Sequence, residues 1–428
     1  MFTQRMNLRF LRALVALGAA AALGLGLAAC GGGGGSSSTA TTSTTTSSPS
    51  LPTPPSQSPI PATASNTAPI TVNNGVANGI NIPTVSVTVC VHGTGNCQTV
   101  NNVQVDTASF GLRIVASQLS SISASISKNP ASVGGSLAEC MTFADSYTWG
   151  SVRSVDVTIG SETASNIPIQ MIGDLSNPAP SSCANSGVAD TTSTDLGANG
   201  ILGIGVAPVD CGAACALAPT TNGYVAYYSG CPASGSCSST SAPTSQQVAN
   251  PIPNFASDNN GAIVEMQPLS YNGASSATGT LVFGIGTESN NTLSASNKFQ
   301  TNSWGDLSST FNGQSLSAFL DTGSNAVFFN DSAIPTCSGS SSWYCPSAPV
   351  ALSATLTGLN GVSGTASFVV ANASSLFSGN TNFALNDLGG KFGSASDLDL
   401  GLPFFYGRYV YVGQDQTATG GQAPYVAF

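Results

Sequence analysis

Val103-Gln104-Val105-Asp106-Thr107-Ala108-Ser109 and Ala318-Phe319-Leu320-Asp321-Thr322-Gly323-Ser324 are two versions of one phrase. Each ends an apolar, strand-forming run on an aspartate and continues with Thr, a tiny residue and Ser. An apolar flank follows both: Leu112, Ile114 and Val115 in one, and Ala326, Val327, Phe328 and Phe329 in the other. The repetition predicts a chain built as two related halves, each offering one carboxylate at the end of a strand. From Ala13 through Val105 there is no Asp, Glu, Lys or Arg, so Asp106 is the first of these four residue types in the folded body. A lone Asp in such a place is ordinarily a loop cap; its recurrence in the same company argues for a pair.

The chemistry of a pair explains the pattern. Two carboxylates about 3 Å apart cannot both ionise, so they share one proton. The ionised member can take a proton from a water held between them, and the protonated member can donate to the carbonyl under attack. Such a pair titrates as a unit. A strand end followed by a tight turn aims the carboxylate and the neighbouring backbone N–H groups at one point, and the small third residue lets two such loops approach.

Composition removes other classes. Only 7% of the 428 residues are charged, and nine are Lys or Arg, which excludes a nucleic-acid binder. Three of the nine, Arg5, Arg9 and Arg12, lie in the first twelve residues; the remaining six face 19 acidic residues, a net of −13. Such a surface suits low pH, where carboxylates are neutralised and few cations repel. One histidine, His92, and no CxxC pair leave no expectation of a metal or cofactor, and rule out most Ser-His-Asp schemes. His92 reads as a surface loop residue. Asp397 and Asp399 read as a solvated approach to a strand rather than metal ligands.

Beyond about residue 81 the pattern is β. Thr84–Val89 and Ser154–Ile159 alternate polar and apolar, and Tyr409–Val412 is a β-branched and aromatic run. Ser117–Ile126 and Ser245–Phe255 are short helical candidates at best. The fold class expected is all-β and two-lobed, with lobes at 81–260 and 261–428. The stretch from Pro208 to Ser241, with four Cys, reads as an insertion that either shapes specificity or decorates the surface. In Tyr147-Thr148-Trp149 the aromatics fit either a mobile hairpin over a site or cross-strand packing.

The N-terminus carries a basic start and an apolar run, Ala13–Ala29, short for a membrane span. Leu27-Ala28-Ala29-Cys30 resembles a bacterial lipobox, which implies a signal peptide over 1–29, lipidation of Cys30 and insertion of its acyl chains in a bilayer. Gly31 after the Cys implies sorting to the outer membrane. Residues 30–80, rich in Gly, Ser, Thr and Pro, are expected to be a disordered tether, with a span of roughly 40 Å. Ten Cys remain once Cys30 is set aside, an even number in an exported chain. Sequence alone does not fix their pairing; close spacing points to Cys90–Cys97, Cys211–Cys215, Cys231–Cys237 and Cys337–Cys345, leaving Cys140–Cys183.

The repeated Asp-Thr-small-Ser phrase resembles the pepsin-like aspartic peptidases, and further segments follow in matching order. Tyr147–Ser151 is similar to the family's flap. Asn199–Gly205 is similar to the brace of the first catalytic turn. Gly279–Gly286 is similar to the strand opening the second lobe, Asp399–Tyr406 to the second brace, and Pro424–Phe428 to the last strand. The resemblance implies a bilobal fold with a cleft. It implies Asp106 and Asp321 as the catalytic dyad, Ser109 and Ser324 on their outer oxygens, Thr107 and Thr322 gripping across the lobes beside Gly323, and Tyr147 closing over a peptide or protein substrate in a monomer. Lipobox, tether and low charge are together similar to a bacterial lipoprotein family of unassigned function. Two departures bear on activity: Ala108 stands where the family has Gly, and Pro403 is expected to alter the second brace. No basic propeptide is visible in 31–80. The resemblance thus leaves a lipid-anchored endopeptidase of the cell envelope beside an inactive module that binds a peptide, glycan or partner protein.

Overall fold

A computed structural model describes residues 51–217 and 226–428. The expected signal peptide, Cys30 and the first part of the tether lie outside these residues. The described chain is strand throughout, with helices and 3-10 turns of at most six residues. The helical candidates shrink to 3-10 turns at Ala116–Leu119, Ser123–Ser125, Thr244–Gln246 and Ile252–Asn254. The strands divide into a sixteen-stranded and a nine-stranded sheet. The all-β, two-lobed expectation holds.

Alternation does what it predicts. Along Thr84–Cys90 and Ser154–Ile159 the side chains alternate between buried and more accessible, and Val85, Val87, Val89, Val155, Val157 and Ile159 meet in the main core. The boundary expected at 260/261 is not where the sheets divide. Gly261–Met266, Ala277–Phe283, Tyr409–Gly413, Tyr425–Ala427 and Lys298–Gln300 all join the larger sheet, and the nine-stranded sheet is confined to residues 307–401. The strands between the lobes thus form a shared floor.

The tether expectation is corrected over 51–80. Thr67–Val72 is a strand paired antiparallel with Ala277–Phe283. Before it, Pro52 O accepts from the Tyr271 hydroxyl, Gln57 N–H donates to Gly407 O, and Ile60 N–H donates to Glu265. A Pro- and Ser-rich segment buries little apolar area of its own, but its backbone groups are paired against the floor sheet, and that pairing holds it.

Five disulfides form, in the pairing that spacing indicated. Cys90–Cys97 closes a hairpin, directly opposite in register. Cys140–Cys183 spans 43 residues and ties the hairpin strand Ser136–Thr142 to the turn Ser181–Ala184. Replacing both with Ala is predicted to lower the unfolding free energy by ~3–4 kcal/mol, the loop-entropy value for such a span, read by urea denaturation. The insertion extends this hairpin: Ala226–Cys231 pairs with Ser136–Thr142. Beneath it lies a cluster that sequence reasoning missed. Arg113, fully buried, reaches Glu139 at 2.5 Å and Asp210 at 3.5 Å, and the Tyr228 hydroxyl donates to Asp210 at 2.8 Å. A charge inside the apolar run Phe110–Val115 was the available signal.

Candidate active site

Each aspartate sits where its sequence phrase predicts. Cys97–Asp106 runs parallel to Gly200–Ile204, which in turn pairs antiparallel with Phe110–Val115. The middle strand thus passes between the strand that delivers Asp106 and the strand that leaves it. The second lobe repeats the device: Gln314–Asp321 is parallel to Asp397–Gly401, which pairs antiparallel with Val327–Phe329. In register, Asp106 lies opposite Gly203 and Asp321 opposite Gly401. Gly401 is required by close approach, because a Cβ there would collide with the carbonyls of Ser324 and Ala326.

The brace at Pro403 is altered as expected: two residues past the glycine opposite Asp106, Gly205 N–H donates to Ser109 O at 2.9 Å, whereas the matching Pro403 has no N–H and Leu402 N–H, one residue earlier, donates to Ser324 O at 2.8 Å. Pro403 falls in the first turn of Leu402–Phe405, where a missing N–H breaks no helical bond.

The two loops lock together. Thr107 N–H donates to Thr322 Oγ1 at 3.2 Å, and Thr322 N–H to Thr107 Oγ1 at 3.0 Å. Each hydroxyl then donates across the lobes, Thr107 to Leu320 O at 2.8 Å and Thr322 to Val105 O at 2.7 Å. Gln104 adds a bond to Gly323 O at 3.1 Å. Both threonines are buried, so their four bonds operate away from water.

This lock brings the carboxylates together. A Cβ built on Gly323 would lie 2.9 Å from Asp106 Oδ1 and 2.9 Å from Asp321 Oδ1, so one methyl-sized volume touches both. Asp106 accepts from Ala108 N–H at 2.9 Å, Ser109 N–H at 3.1 Å and the Ser109 hydroxyl at 2.6 Å. Asp321 accepts from Gly323 N–H at 2.7 Å and the Ser324 hydroxyl at 2.9 Å. Ala108 keeps the donor that Gly would supply, and its backbone is outside the left-handed region, so its methyl carries no strain of that kind.

The pair is electrostatically unequal. Burial, then the neighbouring Asp106 carboxylate, push Asp321 up to about 8, against the pull of its Ser324 and Gly323 bonds. With burial and the neighbouring carboxylate raising it and only two donors holding its charge, Asp321 is the member that carries the proton. Glu265, buried in the floor sheet, is likewise pushed up to about 7 despite its bond from Ile60 N–H. An acid raised in the folded state keeps a proton that the unfolded chain has already released. Stability is therefore predicted to fall as pH rises from about 4 to about 8, the interval between the unfolded and folded values. Urea midpoints measured across that range check it; a midpoint that rises with pH contradicts it.

Other residues are placed differently. Tyr147, on the hairpin Ser146–Ile159, packs in a cluster with Trp149 and the Cys140–Cys183 disulfide, and the Trp149 indole donates to Asn177 O at 2.9 Å. Cross-strand packing thus accounts for both aromatics as found. His92 is exposed and bonds Asp156 at 2.7 Å. Asp399 is not a solvated strand residue: it is 2% exposed and lies 2.6 Å from the Ser324 hydroxyl.

A family model described as a protein of unknown function (DUF3443) matches residues 62–428, and the chain belongs to that family. No curated protein matches the sequence. Among solved structures, the chain is similar to an aspartic proteinase from Irpex lacteus, at 16% identity over 85% of this chain and 97% of that one, with a TM-score of 0.48.

Proposed function

We propose that this member of the family is an aspartic endopeptidase, hydrolysing peptide bonds with Asp106 and Asp321 through an activated water. The observation that carries the reading is the meeting of the two Asp loops, with both inner oxygens around one small volume and the loops cross-locked by Thr107 and Thr322. In the forward step Asp106 takes a proton from the water as its oxygen attacks the scissile carbonyl carbon, and Asp321 gives its proton to the carbonyl oxygen. The tetrahedral intermediate then collapses: the C–N bond breaks, the leaving amine takes the proton held by Asp106, and a hydroxyl proton of the gem-diol returns to Asp321. No covalent adduct with the enzyme is needed. Extended peptides would lie between the lobes. Ala108, the chief sequence argument for an inactive binding module, retains its hydrogen bond to Asp106, so no specific observation favours that reading.

Cleavage of an unfolded protein across about pH 3–6, with and without pepstatin, tests the assignment. Pepstatin-sensitive turnover is expected; its absence from correctly folded protein contradicts it. We also propose that Cys30 is acylated and holds the enzyme at the outer membrane. Palmitate incorporation into the parent but not into Cys30→Ser is the expected outcome.

A further inference from the structure

The two lobes match around their aspartates in strand order and register, and differ in a telling way on the brace strand. Asp106 lies opposite Gly203, and two residues earlier on that brace strand is Ile201, 4% exposed. Asp321 lies opposite Gly401, and the matching residue is Asp399, 2% exposed. The brace does not need a carboxylate there, because an aliphatic side chain serves in the sister lobe. Asp399 sits between Phe319 and Phe328 on the adjoining strands, an expensive place for an acid without a purpose.

It accepts from the Ser324 hydroxyl, which lies 2.6 Å from Asp399 Oδ2 and 2.9 Å from Asp321 Oδ2. A hydroxyl has one proton to give. Both contacts are hydrogen bonds only if one of the two carboxyls is protonated and donates to the serine oxygen. We propose that Asp399 is a positioning residue that shares one proton with Asp321 through Ser324, and so sets how readily Asp321 ionises. The inference rests on the peptidase reading and deepens it. When Asp399 holds the proton, Ser324 donates to an ionised Asp321. When Asp399 gives its proton to Ser324 Oγ, the serine proton passes to Asp321 Oδ2, and the charge appears on Asp399. Atoms and net charge balance, with no outside acid or base.

The titratable groups facing this relay are Asp321 and, beyond it, Asp106. Asp397 is two residues back on Asp399's own strand, and the flanking strands present the two phenylalanines. Removing Asp399 deletes a nearby carboxylate and commits Ser324 to the Asp321 anion, and both changes favour ionisation of Asp321. In protein with 13C-labelled aspartate carboxyls, the Asp321 signal, assigned by its loss in Asp321→Asn, is expected to titrate about one pH unit lower in Asp399→Ile and in Asp399→Asn. The alkaline limb of kcat/KM should move the same way. In a Ser324→Ala background, Asp399→Asn should shift the signal less than half as far. An Asp321 titration unmoved by either Asp399 variant overturns the proposal, as does an equal shift with and without the Ser324 hydroxyl. The titration needs no turnover, so its outcome is separate from that of the cleavage assay. A purely structural Asp399 would lower stability and scale activity equally at every pH.

Discussion

Asp321→Asn is expected to lose peptide hydrolysis by at least about a thousandfold while gaining stability at neutral pH. The first half follows from the role of the acid. An amide cannot deliver a proton to the carbonyl oxygen, and the negative charge of the tetrahedral intermediate is left unrelieved. The second half follows from the same burial that prepares the acid. A group held up at about 8 by burial and a neighbouring carboxylate resists ionisation that the unfolded chain undergoes freely. Asn occupies the same volume without that conflict, so its urea midpoint should exceed the parent's at about pH 8 and approach it at about pH 4. Asp106→Asn should lose turnover comparably, because it removes the base. Initial rates on an unfolded substrate, with denaturation run at both pH values, separate the two effects. Residual turnover within tenfold of the parent in either variant would remove that residue from the chemistry.

Gly323→Ala is expected to cost about a hundredfold or more in kcat/KM. The new methyl would stand 2.8 Å from Asp106 Cγ and 2.9 Å from Asp321 Oδ1, where the water has to sit. Neither carboxylate can simply swing aside, because Asp106 is fixed by three donors and Asp321 by two. The sister position already carries a methyl in Ala108, so Ala108→Gly is the informative control and should change activity far less. Equal effects of the two substitutions would mean that the space between the aspartates does not matter. Circular dichroism and the urea midpoint guard against simple unfolding.

What the sequence made legible was what repeats or alternates. The duplicated Asp phrase placed both carboxylates, and the glycine-containing braces behind them were readable because each follows an apolar strand whose register can be counted. The cysteine pairs followed from short spacing in four cases. What stayed hidden depends on distant partners. Thr67–Val72 joins the floor sheet through Ala277–Phe283, some two hundred residues away, and no local pattern in a Pro-, Ser- and Thr-rich stretch announces that pairing. The Arg113–Glu139–Asp210 cluster draws on three separate segments for the same reason. Asp399 was misread because Asp397-Leu398-Asp399 alternates like a half-exposed strand, whereas both faces of Asp397–Gly401 are covered beyond its first residue. Pro403 read as altering the brace from its residue type alone; it moves the brace bond back to Leu402 N–H, and its place in a first helical turn leaves that short helix intact.

The central claim is that two aspartates, delivered by twin loops, jointly hold one oxygen between them. Calorimetric titration with a statine-containing peptide, whose hydroxyl occupies the place of the attacking water, tests it most directly. The parent should bind, and Asp106→Asn and Asp321→Asn should each bind at least about a hundredfold more weakly. No binding to the parent, or equal binding to all three proteins, would contradict the account.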